Sequence, residues 1–104
     1  MLKLIDVADI IRSKNSGPFE VTFDIILKDE DTYLKIKNSN AMNKVSFAKL
    51  YGLPESSVSS IVWFDPAKAV KITIVRPHAS GSVNDTDIYG AQQHAPLIGW
   101  EFEL

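Results

Sequence analysis

Gln92, Gln93 and His94 stand side by side near the end of the 104-residue chain. Two amides and a neutral imidazole offer both hydrogen-bond donors and acceptors, and each requires a partner when buried. An imidazole also titrates near neutral pH, which makes His94 a candidate general acid or base. A second group, Arg12, Lys14 and Asn15, sets two cations beside a directed amide. A guanidinium fork and an ammonium group can grip a carboxylate or a phosphate. Together the six residues outline a ligand-binding site for a small anion. Each group has a plainer reading as well. The amides and imidazole can satisfy backbone groups of an irregular loop, and the cations can suit the C-terminal end of a helix.

Other chemistries find little footing. Asp85, Asp87, His78 and His94 are allowed metal ligands, but none of the compact spacings of zinc sites is present, so no metal is expected. Ser80 or Ser82 with His94 lacks the nucleophile elbow that a serine hydrolase of the α/β type needs. There is no cysteine, which excludes disulfides, thiol catalysis and thiolate metal sites. No cofactor is expected. The missing cysteine fits a reducing compartment, and "MLKLIDVADII" is too short and too charged for a signal peptide or a membrane span. A cytoplasmic location without a membrane partner is the expectation. Net charge is −2 and the eleven Lys and Arg residues are scattered, so there is no basic footprint for nucleic acid.

The elements that must position these residues read as one domain over residues 1–104. Residues 4–13 have helical spacing at Leu4, Val7 and Ile11, with Asp6 as N-cap and Ile5 and Ile10 as a hydrophobic staple. That helix should stop at Gly17 and Pro18. In "FEVTFDIIL" apolar and polar residues alternate from Phe19 to Leu27, the strongest strand signal in the chain. "DEDTYLKIK" opens with acids and closes with lysines, as a helix dipole prefers. A further helix runs from Lys44 to Tyr51, capped by Asn43, stapled by Met42 and Phe47, and ended by Gly52. "SSIVWFDPAKAVKITIVRP" is a hairpin turning at Asp65–Lys68. Its alternation places Val62, Phe64, Val70, Ile72 and Ile74 on a buried side. "IGWEFEL" reads as a last strand.

In order, these pieces predict an α+β fold: a ferredoxin-like split βαβ with a four-stranded, mainly antiparallel sheet and an extra N-terminal helix. The long loop 77–96 replaces the second crossover helix. It is expected to be ordered, anchored by Ile88, Tyr89, Ala91, Ala95 and Leu97, and to dock a ligand or a protein. Helices on one side of such a sheet leave the other side open. Ile26, Ile61, Trp63 and Val75 fall on that side and form the expected interface, unless the N-terminal helix folds across them.

At "RSKNSGPFE", "LYGLP", "FDPAKAVKIT" and "DTDIYGAQQHAPL" the chain resembles the AtuA-like ferredoxin-fold domain, from about Leu4 onward. That small domain is found alone and beside acyclic terpene utilisation proteins of the AtuA type. The resemblance implies a ferredoxin-like fold, a bacterial cytosolic setting and an AtuA-type large partner protein, with no assigned catalytic residue. The expectation is a non-catalytic subunit or assembly module, forming a homo-oligomer or joining that partner in catabolism of branched acyl compounds. The alternative is one part of a composite active site, or a module binding an acyl-CoA or dicarboxylate anion. Whether the chain is an enzyme stays open at this point.

Overall fold

A computed structural model describes residues 2–17, 19–75 and 95–102. In chain order the elements are β1 (Leu2–Lys3), α1 (Leu4–Val7), β2 (Ala8–Gly17), β3 (Glu20–Leu27), α2 (Glu30–Ser39) and α3 (Lys44–Tyr51). A 3-10 turn (Glu55–Ser57), β4 (Val58–Phe64), a second 3-10 turn (Asp65–Ala67), β5 (Ala69–Val75), α4 (Ala95–Ile98) and β6 (Glu101–Phe102) follow.

The alternation in β3 has its expected consequence. Val21, Phe23, Ile25 and Leu27 are all at most 1% exposed, because period-two spacing turns all four to one side of the sheet. Opposite them on β5 stand Ile74, Ile72 and Val70, also buried. Both helices lie against this side. α2 contributes Tyr33 and Ile36, and α3 contributes Phe47 and Ala48. Phe23 meets Phe47 edge-on at 5.2 Å between ring centres and Tyr51 at 5.2 Å, while Phe47 and Tyr51 stack at 4.6 Å. Aromatic side chains carry much of a core's buried area, and offset or edge contacts add to it.

The helix ends follow their local signals. Asn43 caps α3 by accepting from the Ser46 amide, and the Ser46 hydroxyl accepts from the Asn43 amide in return. Met42 and Phe47 are buried together as a staple. Gly52 then adopts the left-handed conformation at φ 66°, which glycine reaches without steric cost, and its amide bonds back into the last turn. Asp29 caps α2 through the Thr32 amide at 2.7 Å. The hairpin turns as expected: the Lys68 amide donates to the Asp65 carbonyl at 3.1 Å, with Lys68 itself at φ 54°.

The main sheet is antiparallel throughout, in the order β2-β3-β5-β4. β3 and β4 are therefore parallel, joined through α2 and α3, with β5 inserted between them. This is the split βαβ of a ferredoxin-like fold. Two expectations about its periphery are corrected. Residues 4–13 are not one helix. Only Leu4–Val7 is helical, without a side-chain cap, and Ala8–Gly17 is an edge strand paired with β3 from Ala8↔Leu27 to Gly17↔Glu20. A helix of that length is marginal by itself, whereas the β-branched pair Ile10 and Ile11 finds a ready partner in β3. The fourth place in the sheet thus belongs to the N-terminal strand. Of the segment "IGWEFEL", expected as a strand of the main sheet, the described residues are extended at Glu101–Phe102, which pairs with β1 in a separate two-stranded ladder. Ile98 is in the short α4 and is exposed, while Leu97, Trp100 and Phe102 are buried against the core.

Candidate functional site

Cross-strand pairing defines which side chains share the uncovered side of the sheet, because directly opposed residues point the same way. Its first row is Ile10, Ile26, Ala69 and Phe64; its second is Arg12, Asp24, Lys71 and Val62. Lys14, Thr22, Thr73 and Ser60 form the third, and Glu20 with Val75 the last. The apolar members are well exposed, Phe64 by 58%, Val62 by 52%, Val75 by 43% and Ile10 by 38%. Ile26 is half-buried. A hollow of about 360 Å³ lies among Asp24, Val62, Phe64, Ala69, Val70 and Lys71.

Of the four residues expected on the open side, the structure places two there. Ile26 and Val75 stand on the open side. Ile61 and Trp63 do not: they pair with Ile72 and Val70 and pack against the core on the helix side. Trp63 meets Tyr33 of α2 edge-on at 5.7 Å. Val62 and Phe64, expected inside, are outside. The cause is a bulge. Val58 opposes Ile74 and Ser60 opposes Thr73, so Ser59 is one residue too many for its partner strand. A single extra residue exchanges the sides of everything beyond it. The Ser59 hydroxyl holds the bulge by donating to the Thr73 carbonyl at 3.1 Å.

The expected anion-binding residues are also divided. Arg12 and Lys14 lie on the open side of β2, two residues apart, but Asn15 is opposite Val21 on the helix side. The Arg12 Nε donates to Asp24 Oδ2 at 3.3 Å, so its guanidinium already has a carboxylate. Lys71 stands opposite Asp24 on β5, a cation that the sequence pattern did not single out because only strand pairing sets it there. Arg12, Lys14 and Lys71 thus face Asp24 and Glu20, a nearly balanced set. Gln92, Gln93 and His94 lie outside the described residues, as do His78, Ser80, Ser82, Asp85 and Asp87.

A polar tie behind the hairpin was likewise illegible beforehand. The buried Tyr33 donates its hydroxyl to Asp65 Oδ1 at 2.6 Å, and Lys37 Nζ reaches the same oxygen at 2.8 Å. The hydrogen bond from Lys37, and then that from Tyr33, holds the Asp65 carboxyl below its ordinary value. Burial, and then the Asp65 carboxylate, pushes the Tyr33 phenol up to about 12. These groups fix the turn to α2 and present no open acid–base pair. A wider depression near the start of α3 is lined in part by Asn43 and Ser46, whose side chains are spent on capping.

The fold and surface define an α+β domain with a split βαβ sheet, helices on one side and a mixed apolar and charged side uncovered among the described residues. The chain belongs to the family described as a domain of unknown function, DUF4387, whose pattern it matches over residues 4–101. No curated protein and no solved structure matches it. Among the described residues no helix is long and apolar enough to cross a membrane.

Proposed function

We propose that this domain is a non-catalytic assembly module that docks onto a larger protein, of the AtuA type that the resemblance implies, in the bacterial cytoplasm. One observation supports the reading above others. Phe64, Val62, Val75 and Ile10, with the half-buried Ile26, sit on one sheet face that no described helix covers. Exposed apolar groups gathered on one face, interleaved with Arg12, Asp24 and Lys71 and flanked by Lys14 and Glu20, have the mixed composition of a protein-docking surface. On this reading the large partner carries the chemistry on branched acyl compounds, and the small domain contributes surface.

Co-expression of the chain with an AtuA-type large protein tests the proposal. The expected result is a co-eluting complex that Phe64→Ser together with Val62→Ser weakens at least tenfold. Separate elution of both wild-type proteins at high concentration removes the assembly role.

A second reading is favoured by the placement of Arg12 and Lys14 on one side with Lys71 near them. There the same face binds a small anion, such as an acyl-CoA ester or a dicarboxylate, as part of a composite site with the partner. Calorimetric titration of the complex and of the isolated chain with such anions separates the two. Binding lost in Lys14→Met, Lys71→Met supports the anion site, and silence in both preparations removes it.

A further inference from the structure

The main sheet has two outer edges, and they differ in kind. β2 carries Asp9, Arg12 and Lys14 and shifts register at both Ala8/Ile10 and Asn15/Gly17. Charges and bulges of this sort are how native proteins blunt an edge against unwanted pairing. β4 has neither protection along most of its length. Its sequence, "VSSIVWF", contains no charge and no proline, and after the one shift at Val58/Ser60 its pairing is regular to Phe64. Among the described residues no strand pairs with its outer side. A row of unspent amides and carbonyls on an uncharged strand is a template for another strand.

Charge decides which strand. If β4 pairs antiparallel with β4 of a second copy about a twofold axis, every register sets uncharged residues against uncharged residues. Centred on Val62, the pairing places Val62 against Val62, Phe64 against Ser60, and Ile61 against Trp63. The same operation on β2 would oppose Arg12 with Arg12, or Arg12 with Lys14, in its central registers. Like charges directly opposite each other are destabilising. We propose that β4 is a self-association edge, through which two copies of this chain join their sheets into one continuous antiparallel sheet. The exposed Val62 and Phe64 of each copy then shelter one another at the seam. One short strand per copy gives an interface at the low end, below the ~1,200 Å² of standard complexes. The dimer is therefore concentration-dependent. This inference stands on the sheet edge and does not need the large partner.

Analytical ultracentrifugation of the full chain from micromolar to millimolar concentration tests it. The expected result is a monomer–dimer equilibrium, with hydrogen exchange in the outward amides of Ser59–Trp63 slowing as the dimer fills. Val62→Lys and Val62→Glu should each raise the dissociation constant by more than about tenfold, since like charges across an interface oppose association. An equimolar mixture of the two should restore dimers, which answers any concern that either variant has misfolded. Ile10→Lys, on the same face at the opposite edge, should leave the equilibrium unchanged. A monomer at all concentrations overturns the proposal, and so does a dimer indifferent to both charge variants or a mixture that stays monomeric. If the chain is monomeric yet captures the large protein, self-pairing falls and the assembly role stands; a dimer that captures nothing gives the reverse.

Discussion

The two sides of the sheet are built from the same strands and do opposite work. On one, Val21, Phe23, Ile25, Leu27, Val70, Ile72 and Ile74 are almost wholly excluded from solvent beneath α2 and α3. On the other, residues of similar hydrophobicity alternate with Arg12, Asp24 and Lys71, and several remain open. The contrast teaches that hydrophobicity alone does not tell a core residue from a surface one in this chain. Val62 and Ile61 are neighbours of nearly equal character, and a bulge one turn of strand away assigns them opposite fates.

Substitutions on the two sides should separate stability from association. Phe23→Ala is expected to cost the most, about 3–5 kcal/mol, through lost burial and a cavity beside Phe47 and Tyr51. Urea unfolding measures it, and a loss under about 1 kcal/mol would mean that the helices do not seal this side as described. Tyr33→Phe is expected to cost about 1 kcal/mol by removing the bond to Asp65.

Its pH dependence carries a sharper signature. Tyr33 has a folded value raised from 10.0 to about 12, so its contribution is complete below pH 10 and is lost as pH rises between those values. Tyr33→Phe should flatten that part of the alkaline decline, and the remainder belongs to Tyr51, which burial also pushes up. Asp65 works in the other direction. Its lowered value contributes stability above the ordinary 3.8 and loses it as pH falls below that point. Stability curves against pH for the wild type and Tyr33→Phe check both signs.

Asn43→Ala removes the cap of α3 at an expected cost of about 1 kcal/mol, and Asn43→Asp should recover most of it. Thermal melts of the three proteins read this directly. Phe64→Ser on the open side should change stability least, within about 0.5 kcal/mol, although the side chain lost is as large as Phe23. On the proposed readings its effect falls on association, with a large partner or with a second copy, and not on folding. A core-sized loss of stability at Phe64 would erase the distinction between the two sides.

How much of this was legible beforehand depends on how far each determinant reaches along the chain. Asn43, Met42, Phe47 and Gly52 bound α3 through contacts a few residues apart, and Asp65–Lys68 closes a turn within four positions. Val21 to Leu27 alternate over one strand. The site was less legible. Arg12 and Lys14 share a side, but Asn15 leaves them, since a strand alternates where the helix expected there would not have. Lys71 stands opposite Asp24 only because β3 and β5 pair across the sheet.

Sequence by itself determined the pieces whose causes are local: the caps and staple of α3, the dipole-matched α2, the hairpin turn, the buried stripe of β3, and from these the α+β class. Only the tertiary structure decided that Ala8–Gly17 is a strand, that it and not the C-terminus completes the sheet, and that Val62 and Phe64 face outward while Ile61 and Trp63 face in. The reason is that strand identity, register and bulge position depend on hydrogen bonds with residues far along the chain. Those partners exist only once the sheet has formed.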